Sequence, residues 1–297
     1  MARTEILKTY KIFIGGQFPR TESGRYYQFV GAKNLSPLPK ANICLCSRKD
    51  FRNAEVAARN AFTGWSAKSA FNRSQILYRI AEMLEGRKAQ FVEELIQQGS
   101  TKKQAEQEVI LSIDRLVYYA GWCDKYMQVF SSVNPVASSH FNFSVPEATG
   151  VVSVIAPEET SLLGLVSVIA PIIGGGNTCV VLASETKPLC AVTFAEVINT
   201  SDVPGGVVNI LTGNTRELLE HFSSHMDVNA IVYCRNNKEE IKLLSENASL
   251  NVKRVFIYNN KDWSKPENEN PYLILDTQEI KTTWHPIENI GSAKTGY

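Results

Sequence analysis

The feature that most constrains the fold is a regular alternation of short apolar runs and helical patterns between Val151 and Tyr258. The runs are rich in β-branched residues and are bounded by turn signals, as is typical of buried strands. They are VVSVI (151–155), CVVL (179–182), VVNIL (207–211), AIVY (230–233) and RVFIY (254–258), with helical patterns near 161–173, 188–199, 215–225 and 237–247. Because apolar strands that alternate with helices form parallel sheets covered on both faces, we predict an α/β fold with a doubly wound parallel sheet.

The residues before this alternation predict a hairpin and a set of helices. The run YKIFIGGQF, within residues 10–30, alternates in polarity and is interrupted by Gly15-Gly16, which indicates a β-hairpin. Asp50 is a candidate N-cap for the helix that follows. Two further segments carry apolar side chains at helical spacing, which predicts core-facing stripes. Their members are Leu77, Ile80, Leu84, Phe91 and Leu95 in the first, and Val109, Ile113, Leu116, Val117 and Ala120 in the second.

Two β-like segments lie outside the alternation. Residues 131–148 are rich in serine and contain Pro135 and Pro146, so we interpret them as an extended arm rather than a helix. After Tyr258 the polar stretch NNKDWSKPENENP predicts a linker, and YLILDTQEIKTTWHPI predicts one or two strands. The chain is therefore expected to carry a small β element in addition to its main sheet.

The charge balance and the apolar runs limit the classes of function. The chain has 31 Lys and Arg against 30 Asp and Glu, and a net charge of +1 gives no field that would attract nucleic acid. The opening residues MARTEILKTYKIF contain no apolar run of signal-peptide length. The longest apolar stretch, Leu162 to Ile173, is too short to span a bilayer. We therefore expect a cytoplasmic chain with no nucleic-acid partner and no membrane insertion.

Neither the cysteines nor the histidines show the spacing of a metal site. Six cysteines are scattered along the chain, which predicts free thiols in a reducing compartment. His221 and His225 lie four residues apart in HFSSH and would share a helix face. However, Phe222 stands where a zinc-protease motif has its glutamate. We therefore expect no metal site from these residues.

The turn after the first run lacks the signature of a phosphate site. A dinucleotide fold normally has GxGxxG there, because glycines let the pyrophosphate approach a helix N-terminus. Here the sequence is APEETS, whose Glu158 and Glu159 complement the helix dipole but repel a phosphate. Capping by Thr160 or Ser161 is the favoured interpretation. Gly174-Gly175-Gly176 follows a helix and precedes a strand, so we interpret it as a helix stop.

Several stretches, in order along the chain, resemble the aldehyde dehydrogenase superfamily. IFIGGQF resembles the family's opening hairpin, and AEVAARNAFTGW followed by Arg73 resembles its first helical segment. GNTCVVLASE (176–185) resembles the family's GNTVVLKPSE, and VPGGVVNILTG (203–213) resembles LPPGVVNVVTG. NVKRVFIY (251–258) is similar to the strand that normally ends in the catalytic glutamate, and EIKTTWHPI resembles the C-terminal oligomerisation strand. The resemblance implies an aldehyde-dehydrogenase-like Rossmann domain.

The positions that would carry catalysis depart from the family pattern. Glu159 stands where the family's A-P-W-N has its asparagine, and a carboxylate there would repel a developing oxyanion. Tyr258 aligns with the general-base glutamate. After that strand the family continues into a catalytic domain with the nucleophilic cysteine, whereas here the linker leads straight to the terminal strand. Cys234 is a poor substitute, because it lies in the family's phosphate turn. The resemblance therefore implies that this chain has no catalytic residues.

The cofactor positions are only partly kept. Ser184 and Glu185 match the S-E of the family's K-P-S-E motif, but the lysine that touches the adenosine ribose is Leu182. The diphosphate turn F-T-G-S-T-x-x-G loses both glycines, to Arg235 and Glu240. The resemblance leaves Ser184, Glu185 and Arg235 as candidate NAD contacts, since an arginine is suited to phosphate. We expect that the chain has lost its cofactor, with NAD binding as the alternative.

This pattern is most like the C-terminal half of the two-part family sixteen, which lacks the catalytic portion. It implies a Rossmann-like domain at 8–130 plus 149–262, a β oligomerisation arm at 131–148 plus 270–287, and a linker at 263–269. The implied function is a non-catalytic module, a pseudoenzyme, which forms a homo-oligomer or binds a catalytic aldehyde dehydrogenase. The alternative is an NAD-binding oxidoreductase component that takes part in oxidising aldehydes to carboxylic acids.

Overall fold

The structure, a computed structural model, describes residues 6–35 and 38–287. Its strands are β1 (Thr9–Tyr10), β2 (Tyr26–Val30), β3 (Lys40–Cys44), β4 (Ser132–Asn134), β5 (His140–Ala148), β6 (Val151–Ile155), β7 (Thr178–Leu182), β8 (Val208–Leu211), β9 (Ala230–Tyr233), β10 (Arg254–Ile257) and β11 (Gln278–Pro286). Its helices are α1 (Arg48–Ser66), α2 (Ala70–Gly86), α3 (Lys88–Gln97), α4 (Lys102–Trp122), α5 (Tyr126–Phe130), α6 (Leu163–Gly174), α7 (Leu189–Asn199), α8 (Thr215–Ser224), α9 (Lys238–Ser249) and α10 (Tyr272–Leu275). Within these ranges every helix is too short or too polar to cross a membrane.

The central sheet has parallel strands in the order β10-β9-β6-β7-β8. Each strand coincides with one of the predicted apolar runs to within one residue at either end. Alternate side chains of β6 enter separate cores, with Val152 and Val154 on one face and Val151 and Ile155 on the other. Helices α2, α3, α4, α6 and α7 contribute to the first core, and α1, α8 and α9 to the second. The prediction of a doubly wound α/β sheet is confirmed.

Helix α6 explains the most apolar stretch of the sequence. Every residue from Leu163 to Gly174 is buried, because α6 lies between the central sheet and the outer helices α2 and α4. The helix ends as predicted at the triple glycine. Gly176 has φ +88°, in the left-handed region that glycine adopts without strain.

The N-terminal sheet differs from the predicted hairpin. Gly15 and Gly16 do form a turn, with φ of +61° and +81°, but only Ile14 and Gln17 bridge across it. Phe13 bridges instead to Ile210 in β8, and β1 pairs with β3, which also pairs with β2. The hairpin prediction was wrong beyond the turn, because the flanking backbone finds hydrogen-bond partners in other strands.

Helix α1 begins before the predicted cap. Its N-cap is Ser47, and Asp50 lies in the first turn, where its carboxylate accepts from the backbone N of Ser47 at 2.8 Å. This reciprocal capping box replaces the simple cap expected of Asp50, so that prediction was wrong. The first apolar stripe is divided between α2 and α3, which are separated at Arg87. In the second stripe Val117 is exposed and does not reach the core.

The arm sheet is a separate antiparallel sheet formed by β4, β5 and β11. Strand β5 lies in its centre, and β11 pairs with it from Gln278↔Ala148 to Pro286↔His140. Across the strands, Asn134 donates to Asn142 at 2.6 Å and to Ser144 at 2.9 Å. The segment interpreted as an extended arm and the C-terminal strand thus form one sheet.

The return segment, residues 259–277, connects β10 to β11 and lies against the body of the molecule. Trp263, Leu273 and Ile274 are buried in the main core. Arg115 of α4 is 2% exposed, donates to the backbone oxygen of Trp263 at 3.0 Å and pairs with Glu269 at 2.8 Å. Of the one or two strands predicted for YLILDTQEIKTTWHPI, β11 forms, whereas YLIL folds as α10, whose Leu273 and Ile274 are buried. The stretch predicted as a linker is therefore packed rather than free.

Candidate functional site

The sheet order places a crevice at the carboxyl ends of β6 and β9. From β6 the chain leads to β7 on one side and, later, to β9 on the other. At such a topological switch point the loops after neighbouring strands diverge, and ligands of open α/β sheets bind between them. The loops that meet here are residues 156–162 after β6, 183–188 after β7 and 234–237 after β9.

Arg235 lies at the centre of this crevice. Its Nε donates to the backbone oxygen of Ala156 at 3.0 Å, and Nη2 lies 2.7 Å from a carboxylate oxygen of Glu158. Its Nη1 is 3.3 Å from Glu185. Only 11% of the arginine side chain is exposed. The structure thus brings Arg235 and Glu185 together, and the guanidinium group pairs with the carboxylates of both Glu185 and Glu158.

Glu158 fills the same crevice as an internal anion. Its carboxylate accepts from the Ser184 hydroxyl at 2.7 Å, the backbone N of Glu185 at 3.0 Å, and the Thr186 hydroxyl at 2.9 Å. Burial alone would raise the pKa of Glu158, but Arg235 and these hydrogen bonds outweigh it and hold the pKa below its usual range. Donors that would suit a ligand are therefore occupied by a side chain of the same protein.

Glu185 is also engaged within the protein. Its carboxylate accepts from the backbone N of Thr215 at 2.6 Å and from the Thr215 hydroxyl. Its backbone oxygen accepts from the Tyr27 hydroxyl at 3.2 Å. The predicted cofactor residues Ser184, Glu185 and Arg235 therefore form one hydrogen-bonded cluster with Glu158, and their role as NAD contacts stays a prediction.

The sequence did not reveal this use of Glu158. It was expected only to complement a helix dipole and repel phosphate. The available signal was a carboxylate in the turn after β6 together with an arginine in the turn after β9. Loops at adjacent carboxyl ends of parallel strands meet, but the adjacency of β6 and β9 is a property of the sheet order.

The N-terminus of α6 holds another carboxylate. Glu108 of α4 accepts from the backbone N of Ser161 at 3.1 Å, Leu162 at 2.9 Å and Leu163 at 3.2 Å. The Thr160 hydroxyl accepts from the backbone N of Gly164 at 2.9 Å, so part of the predicted capping is confirmed. Because Glu108 occupies the free N–H groups, this helix end has little left to offer a phosphate.

The N-terminus of α9 is closed by its own residues. The Asn237 side chain accepts from the backbone N of Glu239 at 3.0 Å and of Glu240 at 3.3 Å. The carboxylate of Glu240 accepts from the Tyr233 hydroxyl at 2.5 Å. Two carboxylates in the first turn make this end unfavourable for a diphosphate.

Glu159 and Tyr258 are the residues that the resemblance matched to catalytic positions. Glu159 is exposed, and its backbone oxygen accepts from Lys187 Nζ at 2.5 Å. Tyr258 is buried and donates to Asp276 at 2.6 Å. Burial and the neighbouring Asp276 carboxylate raise the pKa of Tyr258 far above its usual value. Its phenol remains protonated and joins β10 to the end of the return segment.

The cysteines are all buried and unbridged. Burial raises the pKa of Cys46, Cys123, Cys179, Cys190 and Cys234. Cys234 is only 4% exposed. Since the thiolate is the nucleophile, a buried thiol that stays protonated is inert towards an aldehyde.

His225 lies beyond the opposite, amino end of the sheet, before β9. His225 follows α8 and lies with Glu55 and Asp227, whereas His221 is not part of that group. Among the described residues this is the one group of three or more potential metal ligands. Its residues belong to α1 and to the turn between α8 and β9, not to the loops that form the crevice.

The chain matches a sequence profile of the Aldehyde dehydrogenase family over residues 34–257. It is 30% identical over 259 residues to Omega-crystallin of Enteroctopus dofleini, a match that covers 85% of this chain and 51% of that protein. It is 29% identical over 251 residues to Cytosolic 10-formyltetrahydrofolate dehydrogenase of Mus musculus, which covers 83% of this chain and 28% of the relative. The family match ends at β10, immediately before the return segment.

Solved structures show the same fold. The NAD+ complex structure of aldehyde dehydrogenase from Bacillus cereus superposes with a TM-score of 0.79 at 22% identity, over 85% of this chain and 51% of that one. PnpE from Pseudomonas sp. WBC-3 gives a TM-score of 0.78 at 24% identity, over 85% of this chain and 50% of that one. The chain thus spans about half the length of these dehydrogenases and of the octopus crystallin.

Proposed function

Because the chain belongs to the aldehyde dehydrogenase family, we propose that it is a non-catalytic module of that family, which assembles with further copies of itself or with a catalytic aldehyde dehydrogenase. The observation that carries this proposal is the open apolar face of the arm sheet. The proposal also includes the likeness to family sixteen and a cytoplasmic location. A reducing compartment suits six unbridged cysteines.

The apolar face of the arm sheet is formed by one side chain of β4 and alternate side chains of β5. Val133 is 68% exposed and Phe141 is 45% exposed. Phe143 is the register partner of Val133, and Val145 follows on the same face. These residues line a shallow groove of about 340 Å³. A continuous apolar face of this kind on an extended sheet favours burial against another subunit.

The outer edge of the arm sheet offers a second means of association. Strand β11 pairs with β5 on one side, and among the described residues no strand pairs with its other side. The N–H and C=O groups along such an edge accept a strand from a neighbouring chain. Lys281 in this strand pairs with Glu147 at 2.9 Å, so the edge also carries charges that would select its partner.

The losses at the family's chemical positions support a non-catalytic role. An oxyanion next to Glu159 would meet a negative charge, and Tyr258 is tied to Asp276 as a protonated phenol. The thiols are buried, and Glu158 occupies the crevice. None of these groups is placed to attack an aldehyde, to hold its oxyanion or to accept its proton.

The experiment measures the molecular mass in solution by sedimentation, with and without a catalytic aldehyde dehydrogenase. We expect the wild-type chain to exceed its monomer mass of 33.0 kDa, and the double variant Phe141→Ser, Phe143→Ser to return towards it. Phe71→Ser is the matched control, because Phe71 is a 68% exposed aromatic residue on another surface, helix α2. A wild-type chain that stays at 33.0 kDa alone and in the mixture would contradict the proposal.

Truncation before Pro271 would be a less specific test of assembly than the two phenylalanine substitutions. Such a truncation deletes β11, but it also removes Leu273 and Ile274 from the main core and Asp276 from its bond to Tyr258. A loss of assembly would then be confused with unfolding. The two phenylalanines lie on the outer face of the arm, so their replacement leaves the core intact.

The convergence of Ser184, Glu185 and Arg235 on one crevice favours a second candidate function, that of an NAD-binding oxidoreductase component. In that case NAD would have to displace Glu158. A ligand that binds only the folded state stabilises it by about 2.7 kcal/mol at a hundredfold excess over Kd. We expect no change in the melting temperature with millimolar NAD or NADH, and a saturable rise would move the assignment to redox chemistry.

A further inference from the structure

We propose that Glu55, His225 and Asp227 form a binding site for a divalent transition-metal ion of the zinc class. One ligand atom from each residue lies within 4.8 Å of the other two. Oε2 of Glu55 is 3.8 Å from Nδ1 of His225. Zinc ligands lie about 2.0–2.2 Å from the ion, so the three side chains would have to rotate towards one another to bind it.

The three residues come from separate parts of the sequence but are fixed by the fold. Glu55 projects from α1, which packs across the second face of the central sheet. His225 caps the end of α8, and Asp227 lies in the turn that leads to β9. The backbone N of Asp227 donates to Nδ1 of His225 at 3.4 Å, and because that nitrogen has a single lone pair, an ion bound there would replace this long hydrogen bond. A bound ion would therefore join α1 to the α8–β9 turn.

The carboxylate of Glu55 gives the independent indication of a ligand. The residue is 1% exposed, and its Oε1 is buried without a hydrogen-bond partner. Across the parts of the chain that the structure describes, no lysine or arginine nitrogen lies within 4.0 Å of the carboxylate of Glu55 or Asp227. The charge of Arg59 acts on Glu55 from a longer distance, but a buried carboxylate without a direct ionic or hydrogen-bond partner is unfavourable. A cation held between Glu55, His225 and Asp227 would remove that cost.

The ligand types favour zinc over calcium or magnesium, because an imidazole nitrogen suits zinc whereas the two harder ions prefer oxygen ligands. Arg59 donates to the backbone oxygen of Asp227 and, at 2.7 Å, to the Asn229 side chain. Lys253 donates to the backbone oxygens of Ser223 and His225 at 2.9 Å and 2.7 Å. Both side chains hold the turn in shape, and their charges lower the affinity for any divalent ion that binds here.

The test uses the full chain, stripped with a chelator and titrated with Co2+ and Zn2+. We expect one equivalent of Co2+ with a visible d–d absorption band, displaced by Zn2+, and a rise in melting temperature with Zn2+. His225→Ala should weaken binding at least about tenfold, since even outer-shell changes cost about 10–100-fold in affinity. Glu55→Gln should have the same effect, and its melting curve without metal shows whether it folds.

His221→Ala is the matched control, because it removes a histidine from the last turn of the same helix outside the cluster. We expect this variant to bind the metal as the wild type does. Absence of a stoichiometric Co2+ band in the wild type would overturn the proposal. So would equal binding by the His225→Ala and wild-type proteins, or a loss of binding in His221→Ala alone.

Discussion

Replacing Glu158 by glutamine tests whether this side chain holds the crevice closed. The carboxylate accepts hydrogen bonds from Ser184, Glu185 and Thr186 and pairs with Arg235 at 2.7 Å. The Glu158→Gln variant removes the charge and places an amide N–H among donors. Arg235, which is only 11% exposed, then keeps Glu185 as its remaining ionic partner at 3.3 Å.

The magnitude follows from burial. Removing one partner of a fully buried ion pair costs about 3–5 kcal/mol. Because the Glu158 side chain is 27% exposed and Glu185 remains beside Arg235, we expect a loss of about 2 kcal/mol in the free energy of unfolding. An unfolding entropy of about 2.1 cal/mol/K per residue over 297 residues gives about 0.6 kcal/mol/K, so the melting temperature should fall by about 3 °C.

The assay is urea and thermal unfolding at several pH values, with Glu159→Gln as the matched control. Glu159 is adjacent and exposed, and its replacement should change the free energy by less than about 0.5 kcal/mol. The folded-state pKa of Glu158 lies below its usual range, so its stabilisation is present at neutral pH and is lost as pH falls through that pKa. The difference between wild type and Glu158→Gln should therefore shrink below about pH 4. Equal stabilities of the two variants at pH 7 would refute the closed-crevice interpretation.

Three further outcomes are expected. Arg115→Met should destabilise the chain by about 3 kcal/mol in urea unfolding, because it removes the hydrogen bond of the buried arginine to Trp263 and its ion pair with Glu269, which is 28% exposed. Arg79→Met on the surface of α2 should cost less than about 0.5 kcal/mol. Burial lowers the pKa of Lys253 from 10.5 to about 8, so between these pH values the unfolded chain binds more protons than the folded chain. The stability of the wild type relative to Lys253→Met should therefore rise with pH across that window, by up to about 3 kcal/mol. A stability difference that does not change with pH would contradict the shift. The native chain should react with less than one equivalent of a thiol reagent and the unfolded chain with all six, and fast labelling of native Cys234 would revive it as a candidate nucleophile.

The elements that the sequence predicted best are those whose pattern is local. The run VVSVI predicts β6 because β-branched residues in a short apolar stretch suit a strand buried on both faces. Errors occurred where a local signal had a distant competitor. YLIL has the composition of a strand but forms α10, which buries Leu273 and Ile274 in the main core. Phe13 leaves the predicted hairpin because β8 offers its backbone a partner.

The candidate site was predicted in part. Ser184, Glu185 and Arg235 were selected by resemblance, and the structure places them in one cluster. Glu158 was noted as an obstacle to phosphate, but its hydrogen bonds to the β7 loop were not foreseen. Sequence spacing alone cannot reveal such a contact, because it joins two loops whose proximity depends on which strands are neighbours.

The sequence by itself determined the class of fold and the family. The class follows from periodicity, which is set by the geometry of each helix or strand, and the family follows from residue identity along the chain. The tertiary structure decided which polar side chains meet. The order β10-β9-β6-β7-β8 brings Glu158 to Arg235, and the packing of α1 brings Glu55 to His225. Both contacts depend on the long-range burial of apolar faces, which sets the positions of these polar side chains. The residues adjacent to them in sequence do not reveal those positions.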